Sequence, residues 1–294
     1  MGHRYLPADI EAALGQRYLV DRQIAVGGQA AVFKATRISR PDGTQSDDTV
    51  ALKLYFYYSQ ATRVQREIAA MESISHPNMA RLIEHGHCTI AGKYTRYITW
   101  EYVEGQTLSQ RLKGGRLLES EVLAIARDVS AAIAAIWSQR IVHGDIKPSN
   151  IMLRDGGGTV LIDLGAAKYL EQENPAATAP FGTMGYFSPE QARGEKSLSC
   201  ASDTFSLGVV MLEALMGRHP TNYDQAALAE GIRASGGKLA VSIPLLCTLD
   251  KMLSERPGFR PMPNELSGQL QRMLQKIQSE YAQGGAARVP KAVG

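Results

Sequence analysis

The chain has 294 residues, 44% hydrophobic and 21% charged, an ordinary globular balance with room for one large domain or two lobes with separate cores. A net charge of +3 without a dense Lys/Arg stripe gives nucleic acid no footing, and no run of eighteen apolar residues predicts a membrane span. Cys88, Cys200 and Cys247 are far apart and lack C-x-x-C spacing, which indicates neither a disulfide framework nor a zinc site; with no signal-peptide pattern at the start, a reducing cytoplasmic setting is expected, secretion as an effector staying open.

Residues 1–16 read as a short helical extension, and Leu6 stands where N-myristoylation would want Ser or Thr. Tyr18–Ala25 is a strand candidate that turns at Gly27-Gly28 and resumes through Ala31–Ala35. A two-strand unit with a glycine turn can set backbone N–H groups over phosphates, and it can equally be an ordinary hairpin. After a polar loop, Arg40–Asp48, the run Thr49–Leu54 alternates as a strand does, with Val50, Leu52 and Leu54 on one face and Ala51 and Lys53 on the other. Over Gln60–Ser75, Val64, Ile68, Met71 and Ile74 recur at helical spacing, and Glu67 borders their stripe. Ala80–Glu84 and Tyr94–Tyr102 follow as strands. Glu119–Gln139 predicts an amphipathic helix whose broad apolar face holds Val122, Ile125, Val129, Ile133, Ile136 and Trp137.

Chemistry concentrates in the stretch Ile141–Gly165. The apolar pair Ile141-Val142 leads into a polar loop with His143, Asp145, Lys147 and Asn150. Two apolar runs, Ile151–Leu153 and Val160–Ile162, are split by Gly156–Gly158 and read as a hairpin, with Asp163 just past its second strand. Two carboxylates, an amide and an ammonium held on braced loops suit a hydroxyl nucleophile, a divalent metal and a polyphosphate. From Gly165 to Glu190 the sequence has no clear periodicity and carries Pro175 and Pro180, as a mobile surface loop does. A further helix opens at Asp203 and stays apolar through Val209, Leu212 and Leu215 to Gly217.

These motifs, in this order, resemble the protein kinase family, and within it the bacterial members of the eukaryotic-like Ser/Thr kinases. His143-x-Asp145-x-Lys147-x-x-Asn150, followed by Asp163-x-Gly165, is similar to the catalytic and metal loops. Val50-Ala51-Leu52-Lys53 resembles the V-A-I-K strand, Gly182–Glu190 the close of the activation segment, and Asp203-x-x-Ser206-x-Gly208 the start of the large buried helix. Arg260 falls where an arginine pairs with the glutamate of the Ser188-Pro189-Glu190 triplet. The likeness covers roughly residues 17–275. It implies an α+β bilobal fold, with a small β-rich N-lobe (17–100), a hinge (101–105) and a larger, mostly helical C-lobe (106–278). A 1–16 extension and a flexible 279–294 tail flank them.

The resemblance also implies roles. Asp145 would accept or orient the proton of the incoming hydroxyl, and Lys147 would neutralise the transferring phosphate. Asn150 and Asp163 would hold Mg²⁺, for which Mn²⁺ can substitute. Lys53, paired with Glu67, would hold the α and β phosphates of ATP. The phosphate loop would be Ala25, Gly27 and Gly28, with alanine at 25 and 30 where the family has glycine. Val32, Ala51 and Met152 would sandwich the adenine, backbone groups of Glu101 and Val103 would hydrogen-bond it, and Trp100 would close the pocket behind it. Leu82, Met71, Leu164 and His143 would align in the assembled active state. Lys147 and Thr183 mark transfer to Ser/Thr of protein substrates. Thr178 is an activation-segment phosphosite candidate, but Gly144 stands where the family's phosphate-reading arginine is usual, so activity is expected to depend little on that phosphorylation. Two other classes share some of these features: a pseudokinase scaffold, suggested by the altered glycine loop and Gly144, and a small-molecule kinase, suggested by His143-Gly144-Asp145.

Overall fold

The computed structural model describes residues 5–170, 182–220 and 241–283. Its first element is helix α1 (Pro7–Ala13), opened by a proline in its first turn, where the missing N–H costs nothing. Ile10 and Leu14, four residues apart, are buried together with Tyr18 and Phe33. The extension is therefore part of the packing of the N-terminal lobe.

Five antiparallel strands follow: β1 (Tyr18–Val26), β2 (Ala30–Ser39), β3 (Gln45–Tyr55), β4 (Leu82–Ile90) and β5 (Lys93–Glu101), in the order β1-β2-β3-β5-β4. β3 lies in the centre. Its Val50/Leu52/Leu54 face packs into the core that α1 covers, and its Ala51/Lys53 face is buried as well. β3 begins at Gln45, so part of the expected polar loop is strand. Its outer residues pair with β2 through Arg37 and Asp48, whose side chains lie 2.8 Å apart, and polar groups satisfied this way need no apolar pattern. Helix α2 (Ala61–Ser73) buries Val64, Glu67, Ala70 and Met71. Ile68, expected in the buried stripe, is only half-buried. The inward face is centred on Glu67 because a cation awaits it there.

Beyond β5 the chain becomes mostly helical. β6 (Gly105–Thr107) leads into α3 (Leu108–Leu112), which Thr107 and Gln110 start with a reciprocal capping box. Helix α4 (Glu119–Ser138) packs against β7 (Ile141–Val142). The predicted hairpin forms as β8 (Ile151–Arg154) and β9 (Thr159–Leu161). β10 (Lys168–Tyr169) pairs with β7. Then come α5 (Pro189–Ala192), α6 (Cys200–Met216), α7 (Ile243–Met252) and α8 (Pro263–Gln283). α6 is buried nearly all round and stops at Gly217, whose φ of 72° is the left-handed cap that glycine adopts without strain. α8 runs past the boundary placed at 278. Residues 279–283 are helix, and the rest of the expected tail lies outside the described residues. The result is an α+β fold of two lobes, a β-rich one and a helical one, with Glu101–Gly105 between them.

Candidate active site

The site is built where the two lobes meet. Lys53 projects from the cleft face of β3, and burial alone would favour its neutral form. Its ammonium instead meets two carboxylates, Glu67 Oε1 at 2.6 Å and Asp163 Oδ1 at 2.8 Å, which hold its pKa above the ordinary value. Glu67 is 3% exposed. Burial raises its pKa and Lys53 only partly offsets this, because that one ammonium is shared with a second carboxylate. Asp163 goes the other way. Burial would raise its carboxyl, but the charge and hydrogen bond of Lys53 and the N–H of Gly165, 3.0 Å from Oδ1, hold it well below the usual range. Asp163 itself has a φ of 68°, a strained conformation for a non-glycine residue that the surrounding contacts maintain.

Gly165 explains the closeness of these groups. A Cβ there would lie 3.0 Å from Asp163 Oδ1, 3.1 Å from Glu67 Oε2 and 3.3 Å from Lys53 Nζ. Its carbonyl accepts from Arg63 Nε on α2 at 2.7 Å, a second tie between that helix and the loop. The ring of Tyr55, two residues beyond Lys53 and on the same face of β3, lies 5.3 Å from the ammonium. Tyr55 belongs to no motif in the sequence, although its period-two spacing from Lys53 is visible there.

The second cluster surrounds Asp145. Its Oδ1 accepts from Thr183 Oγ1 at 2.8 Å, its Oδ2 lies 2.7 Å from Lys147 Nζ, and Lys147 donates to Thr183 Oγ1 at 2.6 Å. The three side chains close a ring. Asn150 Nδ2 donates to the Asp145 main-chain carbonyl at 2.9 Å. Beneath the ring, both oxygens of buried Asp203 on α6 accept 2.8 Å hydrogen bonds, from the N–H groups of His143 and Gly144. Asp203 was expected only as a helix start, and this bracing was not legible from its motif. Gly144 has a φ of 76°, and a Cβ there would sit 3.0 Å from the Ala166 carbonyl, so the local backbone favours glycine twice over. Its carbonyl accepts from Gln191 Nε2 at 3.1 Å, and Gln191 also completes the capping box with Ser188 that starts α5.

Behind α5, Glu190 and Arg260 form a buried bidentate pair at 2.6 and 2.9 Å, joined by Ser202 Oγ at 2.7 Å. Burial would raise the Glu190 carboxyl, but the hydrogen bond from Arg260 leaves it below its ordinary value. This is the contact the resemblance implied.

The remaining expected residues are spread over both lobes. Ala51 and Val103 are buried, Val32 and Met152 half-buried, and Trp100 is packed between Ala51 and Leu82 in the sheet. The Glu101 N–H is taken by the Arg81 carbonyl at 3.0 Å, so of the Glu101 backbone groups only the carbonyl suits a ligand. Ala25, Gly27 and Gly28 lie at the exposed tip of the β1–β2 hairpin, closed by Gly27 N–H to Ala30 O at 2.9 Å. Met71 and Leu164 share one buried cluster against which Leu82 packs, and His143 is fully buried. Thr178 lies outside the described residues.

The donor set suits a metal that arrives with phosphates. Asn150 turns its nitrogen to Asp145, so its amide oxygen could serve as a ligand, and the side chain of Asp163 is 38% exposed. Among the described residues no group of three or more His, Cys, Asp or Glu could hold an ion by itself. Mg²⁺-type sites that complete their shell with waters and substrate phosphates need only one or two such protein ligands.

A β-rich lobe and a helical lobe, joined over a lysine–glutamate–aspartate cluster and an aspartate–lysine–threonine ring, are the arrangement of a protein kinase domain. The chain belongs to that family: residues 18–280 match the protein kinase domain. It is 36% identical over 217 residues to the serine/threonine-protein kinase PrkC of Bacillus subtilis, covering 71% of this chain and 32% of that protein. The probable serine/threonine-protein kinase PknB of Lactococcus lactis is 31% identical over 217 residues, covering 71% and 33%. The serine/threonine-protein kinase PknA of a Nostoc species is 30% identical over 263 residues, covering 85% and 46%. The match thus spans about a third of the first two relatives' length and somewhat under half of the third's. Among the described residues no helix is long and apolar enough to cross a membrane.

Proposed function

We propose that this chain is an ATP-dependent protein kinase that phosphorylates serine and threonine hydroxyls of proteins, itself included. The observation that carries this is the closed ring of Asp145, Lys147 and Thr183, set on the same cleft as Lys53, Glu67 and Asp163. Phosphoryl transfer asks the protein mainly to position reactants and offset charge. Asp145 orients the incoming hydroxyl and takes its proton at a carboxylate oxygen, late in a loose transition state. Lys147 stands beside it to neutralise the phosphoryl oxygens. Thr183 ties both to the segment over which a peptide lies and selects an aliphatic hydroxyl. Lys53 holds the α and β phosphates in the orientation that Glu67 sets. Asn150 and Asp163 are the residues that would hold Mg²⁺ or Mn²⁺, which supplies charge neutralisation on the phosphates. Val32, Ala51 and Met152 enclose the adenine, with the Glu101 carbonyl and the Val103 N–H as its polar contacts and Trp100 as the rear wall. The kinase unit is 17–278, extended by α1 at one end and by the last turns of α8 at the other. Its proposed setting is the cytoplasm, where ATP is plentiful and the unpaired Cys88, Cys200 and Cys247 stay reduced.

A role by shape alone, which the alanines at 25 and 30 and Gly144 suggest, is outweighed because the charged groups that transfer requires are present and joined. The buried Glu190–Arg260 pair and the 182–190 segment it anchors favour a protein over a metabolite as acceptor. Transfer of label from γ-labelled ATP to protein tests the proposal. Asp145→Asn is expected to lower it about 10²–10⁴-fold. Label appearing only on a small molecule, or equal transfer by the variant, would overturn it.

A further inference from the structure

The phosphate loop of this chain is held from behind. The Gln29 carbonyl accepts from the N–H of Phe56 at 2.8 Å and from Ser59 Oγ at 2.6 Å, and the Gly28 carbonyl accepts from Tyr58 OH at 3.2 Å. All three donors belong to one turn after β3, closed by Ser59 N–H to Phe56 O at 2.8 Å. That turn is itself anchored. Phe56 is buried in the core beneath α1 and stacks on Tyr5 at 5.8 Å, while the ring of Tyr58 meets Phe56 at 5.5 Å and Tyr57 at 5.3 Å. Lys93 lies over Tyr57 at 4.0 Å.

A trans peptide points its carbonyl and the following N–H in opposite directions, and none of the described peptides is cis. Fixing the Gly28 and Gln29 carbonyls on the turn therefore aims the N–H groups of Gln29 and Ala30 away from it. Ala30 and Val32 share a face with Lys53 through the β2–β3 register. Alanines at 25 and 30 already narrow the conformations that glycines would allow, and the clamp narrows them further.

We infer that Ser59 and Tyr58 are positioning residues for the nucleotide phosphates: they lock the loop in one arrangement, so that less order has to be imposed when ATP binds. This rests on the ATP-dependent reading above. It assigns an effect on phosphate binding to two hydroxyls that touch no ligand, Ser59 carrying the larger share because its bond is shorter and less exposed.

The test measures affinity of the full chain for Mg²⁺–ATP and, separately, for adenosine, which has no phosphates. Ser59→Ala should weaken ATP about three- to tenfold and leave adenosine within about twofold, with Tyr58→Phe doing less. Ser59→Thr, which keeps the hydroxyl, should restore ATP affinity. In turnover the effect should fall on KM for ATP, with kcat little changed. Unchanged ATP affinity in Ser59→Ala, or equal loss for ATP and adenosine, would overturn the inference alone. Failure of the unaltered protein to bind either ligand would remove the nucleotide reading and this inference with it.

Discussion

Two buried ion pairs of the same length, 2.6 Å, sit in the two lobes, and they are built for opposite ends. Glu190–Arg260 is closed. Both carboxylate oxygens take a guanidinium N–H, Ser202 adds a third donor, and the remaining Arg260 N–H groups go to the carbonyls of Ser254, Glu255 and Ala201. The guanidinium also lies over the ring of Phe205 at 4.9 Å. Lys53–Glu67 is open. One ammonium serves two carboxylates, and Asp163 keeps a solvent-facing side. The closed pair leaves its glutamate more acidic than usual, and the open one leaves its glutamate less acidic. A completely satisfied pair holds structure in place. A pair one charge short on the cationic side, with one carboxylate partly open to solvent, keeps capacity for a further charged group.

The largest expected effect is at the closed pair. Arg260→Ala leaves Glu190 buried and unpaired, and should cost about 3–5 kcal/mol of stability, a fall in Tm of roughly 10 °C by thermal denaturation. A variant as stable as the parent would mean that the pair is not the brace described here. Lys53→Met is the matching change at the open pair. It should lower kcat/KM about 10²–10³-fold, as loss of an electrostatic contact to the reacting phosphates does, while moving Tm much less than Arg260→Ala. Equal losses of stability in the two variants would erase the distinction.

Acid should separate the pairs next. Glu67 has a folded pKa above its ordinary 4.5, so it binds a proton first as pH falls, and this favours the folded state between the unfolded and folded values while releasing Lys53 from its orientation. Glu190 has a folded pKa below 4.5, so its contribution to stability is complete above 4.5 and is lost only as pH falls through the lower, folded value. Activity should therefore decline at a higher pH than circular dichroism, recorded in parallel, shows the fold to be lost. Coincident transitions would contradict these opposite shifts.

How much of this was readable from the residues follows the range of each contact. Asp145, Lys147 and Asn150 lie within one short loop, and their spacing fixes their grouping. Asp163 and Lys53 come from different elements, but each ends or lies within a short apolar strand that alternation reveals. Glu190–Arg260 spans 70 residues and was accessible only because the two flanking motifs resemble a known family. Ser59, Tyr58 and Arg63 had no such signal, because the hydrogen bonds that tie them to the loops go to main-chain carbonyls, which leave no mark on the partner's identity. Tyr55 showed only its period-two spacing from Lys53. The reach of β3 back to Gln45 was hidden for a related reason: Arg37 and Asp48 pair across the strands, so that stretch shows no hydrophobic alternation. α1 was recognised as a helix but not as part of the core, although Ile10 and Leu14 carry the i, i+4 spacing of a buried stripe.

The smallest expected effect concerns Thr178. Regulation by phosphate works when a new dianion finds a fixed cation, most effectively an arginine that can grip two oxygens. The position next to Asp145 that would supply such a group is Gly144, and more than the lack of a side chain keeps it so. Its φ of 76° and the Ala166 carbonyl, 3.0 Å from where a Cβ would be, oppose any larger residue. The loop is instead tied by main-chain bonds to Asp203 and Gln191, which are made without phosphate. The Lys53–Glu67 contact is likewise already formed. With the 143–150 loop and that pair held by contacts that require no phosphate, Thr178→Ala should retain activity within about twofold of the parent under saturating ATP. Comparison with protein treated by a phosphatase should give the same figure. A variant with almost no activity would mean that a phosphate at 178 is read by some other cation, and that Gly144 does not release this kinase from that control.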